Sequence, residues 1–591
     1  MRNTPNYQEK RKKNKQSNAT DFFRVKIFFG LLVFIGALIV TRLFFVQVAS
    51  HEKWVALAES QHNSSFELSA SRGEIYMYDG EDDHYPLAVN REYQMVFVVP
   101  KDVEEKDTVA LELSRILGMD AGEIRDKLNR PDDPFEIVKK RLSEDEVARV
   151  RELRFKGVAL LPEQYRYYPA GELAAQVIGF ASLGEQGRAG GYGVEASLDG
   201  RLRGEVGTLS QEKDASGRWI SLTDRSITHA ENGDSITLTL DRVIQYETEK
   251  ILKDSTERFQ VDRATAIVMD PHTGDILAMA SSPQFDPNNY SKEDDYSVFM
   301  NSAVSSAYEP GSIMKPITMA IGIEEGKVSG TTEYIDTGAV VEAGYTIRNA
   351  EEKVYGRSNM FQVLDQSINT GVIFVEKLVG NQSFREYLER FGFGERTGIE
   401  LPAELPGNLK NLRNEKSTIN FFTASFGQGI TSTPIQMISA YAALANGGRL
   451  LRPNIVGKVI HADGSEEKRT PIEVRRVVSE ETSQTIGKML RSVVVNGHGK
   501  RADVPGYLVG GKTGTAQVAK SGTKGYEEGM SIGSFVGYAP INDPQFVVLV
   551  KLDNPKNVEW AESSAAPTFG QIMKFLLEYA KVKPTEETVK K

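Results

Sequence analysis

The pattern of apolar and polar residues changes several times along the chain and predicts different elements. A mostly apolar stretch occupies residues 27–48. Polar and apolar residues alternate over Ser235–Leu240, which predicts a strand, and Arg242–Phe259 has the spacing of an amphipathic helix. Ala264–Met269 and Ile276–Ala280 are short apolar runs separated by a turn that contains proline and glycine. They predict a β-hairpin and therefore an antiparallel sheet with helices beside it.

The region between the apolar stretch and that first strand contains shorter elements and many charges. Tyr93–Val99 is rich in β-forming residues, and Thr108–Leu117 reads as a helix. Ser143 and Glu146 form the pattern of a capping box, which predicts a helix that begins there and stops near Gly157. These predicted helices carry no cluster of catalytic residue types. The region is therefore expected to be a solvated, non-catalytic domain.

The N-terminus combines positive charge with the apolar stretch. Residues 1–26 contain eight Lys or Arg against one Glu and one Asp, and the apolar residues 27–48 follow directly. This order predicts a signal anchor in the cell membrane, with the basic tail in the cytoplasm and the rest of the chain outside. A cleaved signal peptide is the alternative, but its only cleavage pattern, at Ala56 and Ala58, lies well beyond the apolar run. We therefore expect the span to be retained.

Composition excludes several classes of function. The 591 residues contain no cysteine, so disulfides, thiolate nucleophiles and cysteine zinc sites are excluded. The seven histidines show no H-E-x-x-H spacing, and we expect no catalytic metal and no cofactor. A net charge of -10 argues against a general nucleic-acid role. The predicted organisation is a cytoplasmic tail at 1–26, an anchor at 27–48, a non-catalytic pedestal at 49–234, a catalytic domain at 235–580 and a charged tail at 581–591.

Three short motifs carry the candidate chemistry, in a fixed order along the chain. They are S-x-x-K, S-x-N and K-T-G, which together are the signature of serine enzymes acylated by penicillin. Their members, with the threonine that follows, are Ser312, Lys315, Ser367, Asn369, Lys512, Thr513, Gly514 and Thr515. S-x-x-K also begins at Ser50, Ser465 and Ser521, but only Ser312 follows a Pro-Gly turn and precedes the apolar residues of a helix.

The chemistry explains these spacings. Residues three apart on a helix share a face, so the Lys315 amine is expected to reach the Ser312 hydroxyl and act as its base. Burial and a second cation, Lys512, would favour the neutral amine that a base requires. K-T-G is predicted to lie on a strand edge, where Gly514 would let a substrate backbone approach. The hydroxyls of Thr513 and Thr515 would bind a substrate carboxylate.

Beyond the motifs, the sequence resembles the class B, monofunctional penicillin-binding proteins, and is closer to their division type. The stretches that carry the likeness are Arg72–Ile75, Tyr168–Pro169, Gly193–Glu195, Asp270–Gly274, Tyr308–Pro316, Ser425–Ile430, Thr433–Gln436 and Phe535–Pro540. The resemblance implies an α/β (α+β) transpeptidase fold, with a mainly antiparallel sheet flanked by helices, on an N-terminal pedestal of the dimerisation type. One departure is an acidic insertion, Glu81–Asp83, after the first stretch.

The same resemblance implies a function and roles for the motif residues. It implies a peptidoglycan D,D-transpeptidase that cross-links D-Ala-D-Ala stem peptides, with possible carboxypeptidase side activity, and that β-lactams inhibit covalently. Ser312 would form the acyl-enzyme, Lys315 would be the base, and Ser367 and Asn369 would relay protons and hold the substrate amide. The resemblance further implies a SEDS-family glycosyltransferase and other division proteins as partners. An elongation-type or sporulation-type homologue, or a catalytically silent scaffold, stays open as an alternative.

Overall fold

A computed structural model gives the fold. It describes residues 8–51, 53–54, 63–68, 70–80, 84–130, 135–184, 187–212, 226–520 and 525–584. The predicted acidic insertion and most of the charged tail at 581–591 lie outside these residues. The chain divides into two compact units, Met1–Ala70 with Glu205–Glu231, and Ser71–Gly204 with Asn232–Lys591.

The strands are numbered in chain order, and the α-helices are named by their residue ranges. The strands are β1 (Asn63–Leu68), β2 (Ile75–Tyr78), β3 (His84–Val98), β4 (Glu136–Leu142), β5 (Val158–Tyr167), β6 (Ala181–Gly184), β7 (Gly187–Gly190), β8 (Gly207–Glu212), β9 (Ser226–Thr228), β10 (Ser235–Asp241), β11 (Arg263–Met269), β12 (Ile276–Ser282), β13 (Glu333–Asp336), β14 (Ala339–Glu342), β15 (Tyr345–Arg348), β16 (Gly356–Asn359), β17 (Arg449–Leu451), β18 (Val456–Ile460), β19 (Glu466–Lys468), β20 (Glu473–Arg476), β21 (Gly510–Ala519), β22 (Tyr526–Ala539) and β23 (Phe546–Asp553). The α-helices are Gln8–Phe44, Lys106–Leu117, Ala121–Leu128, Glu144–Leu153, Ala175–Ile178, Gly193–Ser197, Asp199–Leu202, Arg242–Phe259, Ser302–Ser305, Lys315–Glu324, Met360–Asp365, Asn369–Val379, Asn381–Arg390, Thr418–Ser425, Pro434–Ala445, Glu480–Asn496 and Ala565–Tyr579.

The first unit contains the predicted anchor. The helix Gln8–Phe44 continues as a short π-helix, Phe45–Ala49. Within the described residues, the segment Phe23–Ala49 is the one helix long and apolar enough to cross a membrane, judged by length and composition. The same unit holds a three-stranded sheet in the order β1-β8-β9, in which both pairs are antiparallel.

The second unit begins with a sheet that contains strands from distant parts of the chain. Its order is β19-β18-β10-β2-β3-β4, and β5 pairs with β3 as well. The strand β10 runs parallel to β2 and antiparallel to β18, so it joins strands from both sides of the boundary predicted before Ser235. The boundary itself stays a prediction.

Local sequence patterns predicted several of these elements. The strand at Ser235, the helix Arg242–Phe259 and the antiparallel hairpin of β11 and β12 are confirmed. The capping box at Ser143 is also confirmed, because its side chain accepts a hydrogen bond from the Glu146 N–H and the reciprocal bond is present. The helix that it opens ends earlier than predicted, at Leu153, because Arg154 already has left-handed backbone angles.

The second unit also contains an antiparallel sheet with the order β12-β11-β23-β22-β21. Alternate side chains of its strands enter two different cores, as the two-residue period of a strand requires. Ala266 and Val268 pack with the helices Arg242–Phe259 and Ala565–Tyr579, whereas Ile267 packs in the core that contains the helix Pro434–Ala445. The mainly antiparallel sheet flanked by helices is therefore confirmed, and β21 lies at one of its edges.

Candidate active site

The candidate nucleophile lies in a short turn in front of a helix. Gly311–Met314 forms a single 3-10 turn, and the α-helix begins at Lys315 rather than near Ser312 as predicted. Pro316 lies in the first helical turn, where its missing N–H leaves no intrahelical bond unmade. Ile313 and Met314 of the 3-10 turn are fully buried, while Ser312 is partly exposed. The turn therefore presents the serine hydroxyl at the surface of a packed core.

A loop that contains Ser425 and Gly427 packs against the turn, and the sequence analysis did not predict this contact. The N–H of Gly311 donates a hydrogen bond to the carbonyl oxygen of Gly427 at 3.0 Å. A Cβ at Gly427 would lie 2.3 Å from the carbonyl oxygen of Gly311, so only glycine allows this approach. The Thr318 hydroxyl donates to the Ser425 carbonyl oxygen at 2.7 Å and fixes the same loop to the helix.

Lys315 and Lys512 both contact the side-chain hydroxyl of Ser367. The Lys315 side-chain nitrogen Nζ lies 2.8 Å from Asn369 Oδ1 and 3.2 Å from Ser367 Oγ, and it also contacts the Ser367 carbonyl oxygen. Lys512 Nζ donates to the same Ser367 Oγ at 3.1 Å. Within the described residues, the hydrogen bonds of Lys315 Nζ go to Ser367 and Asn369 and none goes to Ser312. The first two motifs and the third therefore meet at the hydroxyl of Ser367.

The backbone at the second motif is unusual. Ser367 has a φ of 55°, in the left-handed region that residues with a side chain seldom occupy. The helix Asn369–Val379 begins two residues later, and Asn369 Nδ2 donates to the Arg348 carbonyl oxygen at 2.9 Å. This bond orients the amide so that its oxygen faces Lys315. A strained backbone and an anchored amide thus aim both side chains at the two lysines.

Burial lowers the pKa of both lysines. Both side chains are fully buried, and desolvation followed by the proximity of Lys512 lowers the pKa of Lys315 well below its usual value. Desolvation lowers the pKa of Lys512 to about 7, although the carboxylates of Asp365 and Glu562 act in the opposite direction. A neutral amine at Lys315 is a base that can accept a proton from a hydroxyl.

The third motif lies on the edge strand β21, as predicted. The strand pairs with β22, where Thr513 stands opposite Phe535 and Thr515 opposite Gly533. The approach of a substrate backbone at Gly514 stays a prediction, and the structure shows a further reason for glycine there. A Cβ there would lie 2.9 Å from Ile313 Cγ2 and 3.0 Å from the Pro310 carbonyl oxygen. Gly514 therefore lets the strand pack against the turn that carries the nucleophile.

A cavity of about 250 Å³ brings the motifs together. Ser312, Ser367, Asn369, Thr513 and Thr515 all line it, so the structure assembles the predicted residues at one place. Phe426 and Gln428 lie in the stretch Ser425–Ile430, which the sequence analysis noted only for its family likeness. Sequence reasoning assigned no role to any of the remaining lining residues. They include Ala350, Glu351, Lys353, Tyr355, Gln366, Phe426, Gln428, His498, Trp560 and Glu562.

The chemistry that this arrangement allows is acyl transfer. It combines an accessible serine, a buried amine with a lowered pKa, a hydroxyl that bridges two amines, and two threonines on a strand edge. Such a set suits a serine that is acylated and then released by a second nucleophile.

Comparison with known proteins defines the class. Residues 264–574 match the penicillin binding protein transpeptidase domain, and residues 67–238 match the penicillin-binding protein dimerisation domain. The chain belongs to the penicillin-binding protein family and is a serine-type transpeptidase of its class B members.

Individual relatives refine this assignment. The chain is 34% identical to Stage V sporulation protein D of Bacillus subtilis over 571 residues, covering 96% of this chain and 86% of that protein. It is 28% identical to the peptidoglycan D,D-transpeptidase FtsI of Escherichia coli over 573 residues, covering 95% and 92%. A crystal structure of penicillin binding protein 3 from Mycobacterium tuberculosis, complexed with aztreonam, is similar with a TM-score of 0.68 and 27% identity, covering 89% of this chain and 99% of that one.

Proposed function

We propose that this transpeptidase cross-links peptidoglycan through an acyl-enzyme at Ser312. The Ser312 hydroxyl attacks the carbonyl carbon of the penultimate D-alanine of a stem peptide and expels the terminal D-alanine. The amine of a second stem then attacks the ester, forms the cross-link and releases the serine. The observation that carries this proposal is the fully buried Lys315, whose pKa is lowered by burial and by the nearby Lys512. Its Nζ contacts Ser367 and Asn369, which line the same cavity as Ser312.

Lys315 acts as the base of the first step. It takes the proton of the Ser312 hydroxyl as the oxygen attacks, and the proton reaches the leaving amine of D-alanine. Ser367 supports this transfer because its hydroxyl accepts hydrogen bonds from both Lys315 and Lys512. Asn369 holds the amine of Lys315 in place through its side-chain oxygen, and its position on the cavity suits contact with a substrate amide.

The third motif binds the terminal carboxylate of the donor. Thr513 and Thr515 line the cavity on the edge strand β21, and Lys512 lies beneath them with its Nζ 3.3 Å from Thr513 Oγ1. An extended peptide can lie along such an edge with its carboxylate against hydroxyls and a cation. The backbone N–H groups of Ser312 and Thr515 are suited to form the oxyanion hole.

The domain organisation supports action at the outer face of a membrane. We assign 27–48 to a single-pass anchor, 49–234 to the pedestal and 235–580 to the extracytoplasmic transpeptidase domain. The apolar helix Phe23–Ala49 and the basic residues before it support this orientation. Peptidoglycan stem peptides and β-lactams are then the ligands, and a SEDS-family glycosyltransferase with other division proteins are the proposed partners.

The physiological setting is division, with sporulation as a second candidate. The name of the Escherichia coli relative FtsI and the class B resemblance support septal cell-wall synthesis. The similarity to a stage V sporulation protein over 96% of the chain favours the second candidate. Depletion of the protein distinguishes them, because only a division role predicts filamentation of growing cells.

Mass spectrometry tests the proposed chemistry directly. The protein is treated with benzylpenicillin, and its intact mass is measured. It is then digested, and the modified peptide is mapped. We expect one adduct per chain on the peptide that contains Ser312, and none in the Ser312→Ala variant. An adduct at Ser465 or Ser521, or an unmodified folded protein, would contradict the assignment.

A further inference from the structure

A histidine and a glutamate form a pair on the wall of the active-site cavity. His498 Nδ1 lies 2.9 Å from Glu562 Oε2. Both residues line the cavity that Ser312 lines. Their side chains are 42% and 39% exposed, whereas Lys315 and Lys512 are fully buried. The pair is therefore open to a molecule that enters the cavity.

The pair is fixed in place by the elements that carry the second and third motifs. The N–H of His498 donates to the Asp365 carbonyl oxygen at 3.3 Å, two residues before Ser367. A Cβ at Gly497 would lie 2.3 Å from that carbonyl oxygen, so glycine is required for the approach. On the other side, the N–H of Ala561, the neighbour of Glu562, donates to Thr515 Oγ1 at 3.2 Å. The position of the pair is thus coupled to the catalytic motifs.

The second half of a transpeptidation needs a base for the acceptor. A primary amine enters as an ammonium ion at neutral pH and cannot attack an ester until it has lost a proton. The amines of Lys315 and Lys512 are fully buried, and Lys315 is needed to return a proton to the departing Ser312 oxygen. An imidazole with a free ring nitrogen on the exposed part of the cavity is suited to receive the acceptor proton.

We propose that His498 is the general base for the acceptor amine, held in the required tautomer by Glu562. The Nδ1–H donates to the carboxylate, which leaves Nε2 as the acceptor, and within the described residues Nε2 has no hydrogen bond. Glu562 and Glu351 place two carboxylates on the cavity wall, against one cation, Lys353, which is paired with Glu351 at 2.6 Å. This balance of charge favours a cationic acceptor. The proposal rests on the proposed function.

Attack by the acceptor transfers two protons, one to His498 and one to the departing Ser312 oxygen. The acceptor ammonium gives one proton to Nε2 of His498, and its nitrogen attacks the carbonyl carbon of the Ser312 ester. The new C–N bond forms and the C–O bond to Ser312 breaks. The nitrogen loses a second proton, which Lys315 passes to the departing Ser312 oxygen. The products are the amide cross-link, the free serine and a protonated imidazole that returns its proton to water.

A single substrate measures both fates of the acyl-enzyme. The full-length protein in detergent is given a synthetic pentapeptide that ends in two D-alanines and carries a free side-chain amine. Cross-linked dimer reports attack by the amine, and tetrapeptide reports attack by water. We expect His498→Gln to lower the ratio of dimer to tetrapeptide at least tenfold and Glu562→Gln to lower it about threefold. The rate of acylation by a fluorescent penicillin should fall much less than the ratio.

Two further measurements separate a catalytic role from a structural one. Added imidazole should partly restore the dimer in His498→Ala, because it replaces the missing base. His461→Gln is the matched control, since His461 pairs with Asp234 at 3.2 Å and neither residue lines the cavity. It should leave the ratio unchanged.

Several outcomes would overturn the assignment of His498. They are an unchanged ratio in both His498→Gln and His498→Ala, an equal loss of acylation and ratio without rescue by imidazole, and a wild-type protein that is acylated but forms no dimer. Failure of the wild-type protein to be acylated by penicillin contradicts the proposed function instead.

Discussion

At the scale of single residues, the site depends on one hydroxyl shared by two buried amines. Ser367 Oγ accepts from Lys315 and Lys512, so moving either amine changes the environment of the other. Two cations cannot be buried this close without a large electrostatic penalty. Loss of a proton from Lys315 relieves that penalty and creates the base at the same time. The requirement for catalysis and the requirement for burial therefore coincide.

The Lys315→Arg variant tests whether a neutral amine is needed. Arginine keeps the positive charge but cannot lose its proton in a protein, so it cannot act as the base. We expect acylation by a fluorescent penicillin to slow by about 100-fold or more. Lys551→Arg is the matched control, because Lys551 is also buried but pairs with Asp553 away from the cavity. Normal acylation in Lys315→Arg would exclude the proposed role.

Burial of Lys512 predicts a pH dependence of stability. Its pKa falls from 10.5 to about 7 on folding, so between these values the unfolded chain holds a proton that the folded chain lacks. Stability then rises with pH across this window, and the penalty of burying the lysine is largest below about pH 7. Lys512→Met should stabilise the protein most at pH 7, and its advantage should shrink by about 1 kcal/mol per pH unit toward pH 9. Urea unfolding of the wild type and of Lys512→Met at pH 7 and at pH 9 measures the difference in their free energies of unfolding. A difference that is the same at both pH values would contradict the shifted pKa.

At the scale of elements, the catalytic geometry depends on how closely β21 approaches the turn Gly311–Met314. Gly514 allows this contact from the strand, and Gly427 allows the loop to support the turn from the other side. Both positions exclude a side chain because backbone or core atoms already occupy the space. The nucleophile is thus positioned by packing between three segments that are distant in sequence.

Gly514→Ala tests this contact. Its Cβ would lie within 3.0 Å of atoms of Ile313, Ser534 and Pro310, so β21 must move away from the turn. We expect a loss of about 1–3 kcal/mol in the free energy of unfolding and a decrease of about tenfold or more in the acylation rate. Gly200→Ala is the control, because a Cβ there meets nothing within 4 Å. Wild-type acylation in Gly514→Ala would show that the contact does not position Ser312.

Elements with local signals were predictable, and the site was predictable where its residues form motifs. The helix Arg242–Phe259 follows from its own periodicity, and Ser312 from the turn before it. His498 and Glu562 were not predictable, because their position depends on packing against Asp365 and Thr515 in other segments. Sequence spacing carries no information about such long-range approaches.

At the scale of the whole molecule, the active-site cavity and the apolar N-terminal helix are formed by different parts of the chain. The charge-rich helices of the predicted pedestal showed no catalytic cluster in the sequence, and the residues of the cavity described here all lie within 311–562. The segment Phe23–Ala49 has exposed apolar side chains along its length. These observations support the proposal that the N-terminal part serves membrane attachment and partner contact and that the rest of the chain carries the chemistry.

The anchor should be dispensable for acylation and required for function in cells. A protein that begins at residue 49 keeps β1, which pairs with β8, and all the residues of the cavity. We expect it to be acylated by penicillin at the wild-type rate and to fail to support cell-wall synthesis when secreted at native levels. Replacing residues 27–48 with an unrelated span should also impair growth more than acylation, because a partner in the membrane would recognise the surface of the helix. Full complementation by the anchorless protein would show that neither the span nor a membrane partner is needed, while complementation by the exchanged span alone would limit the role of the anchor to attachment.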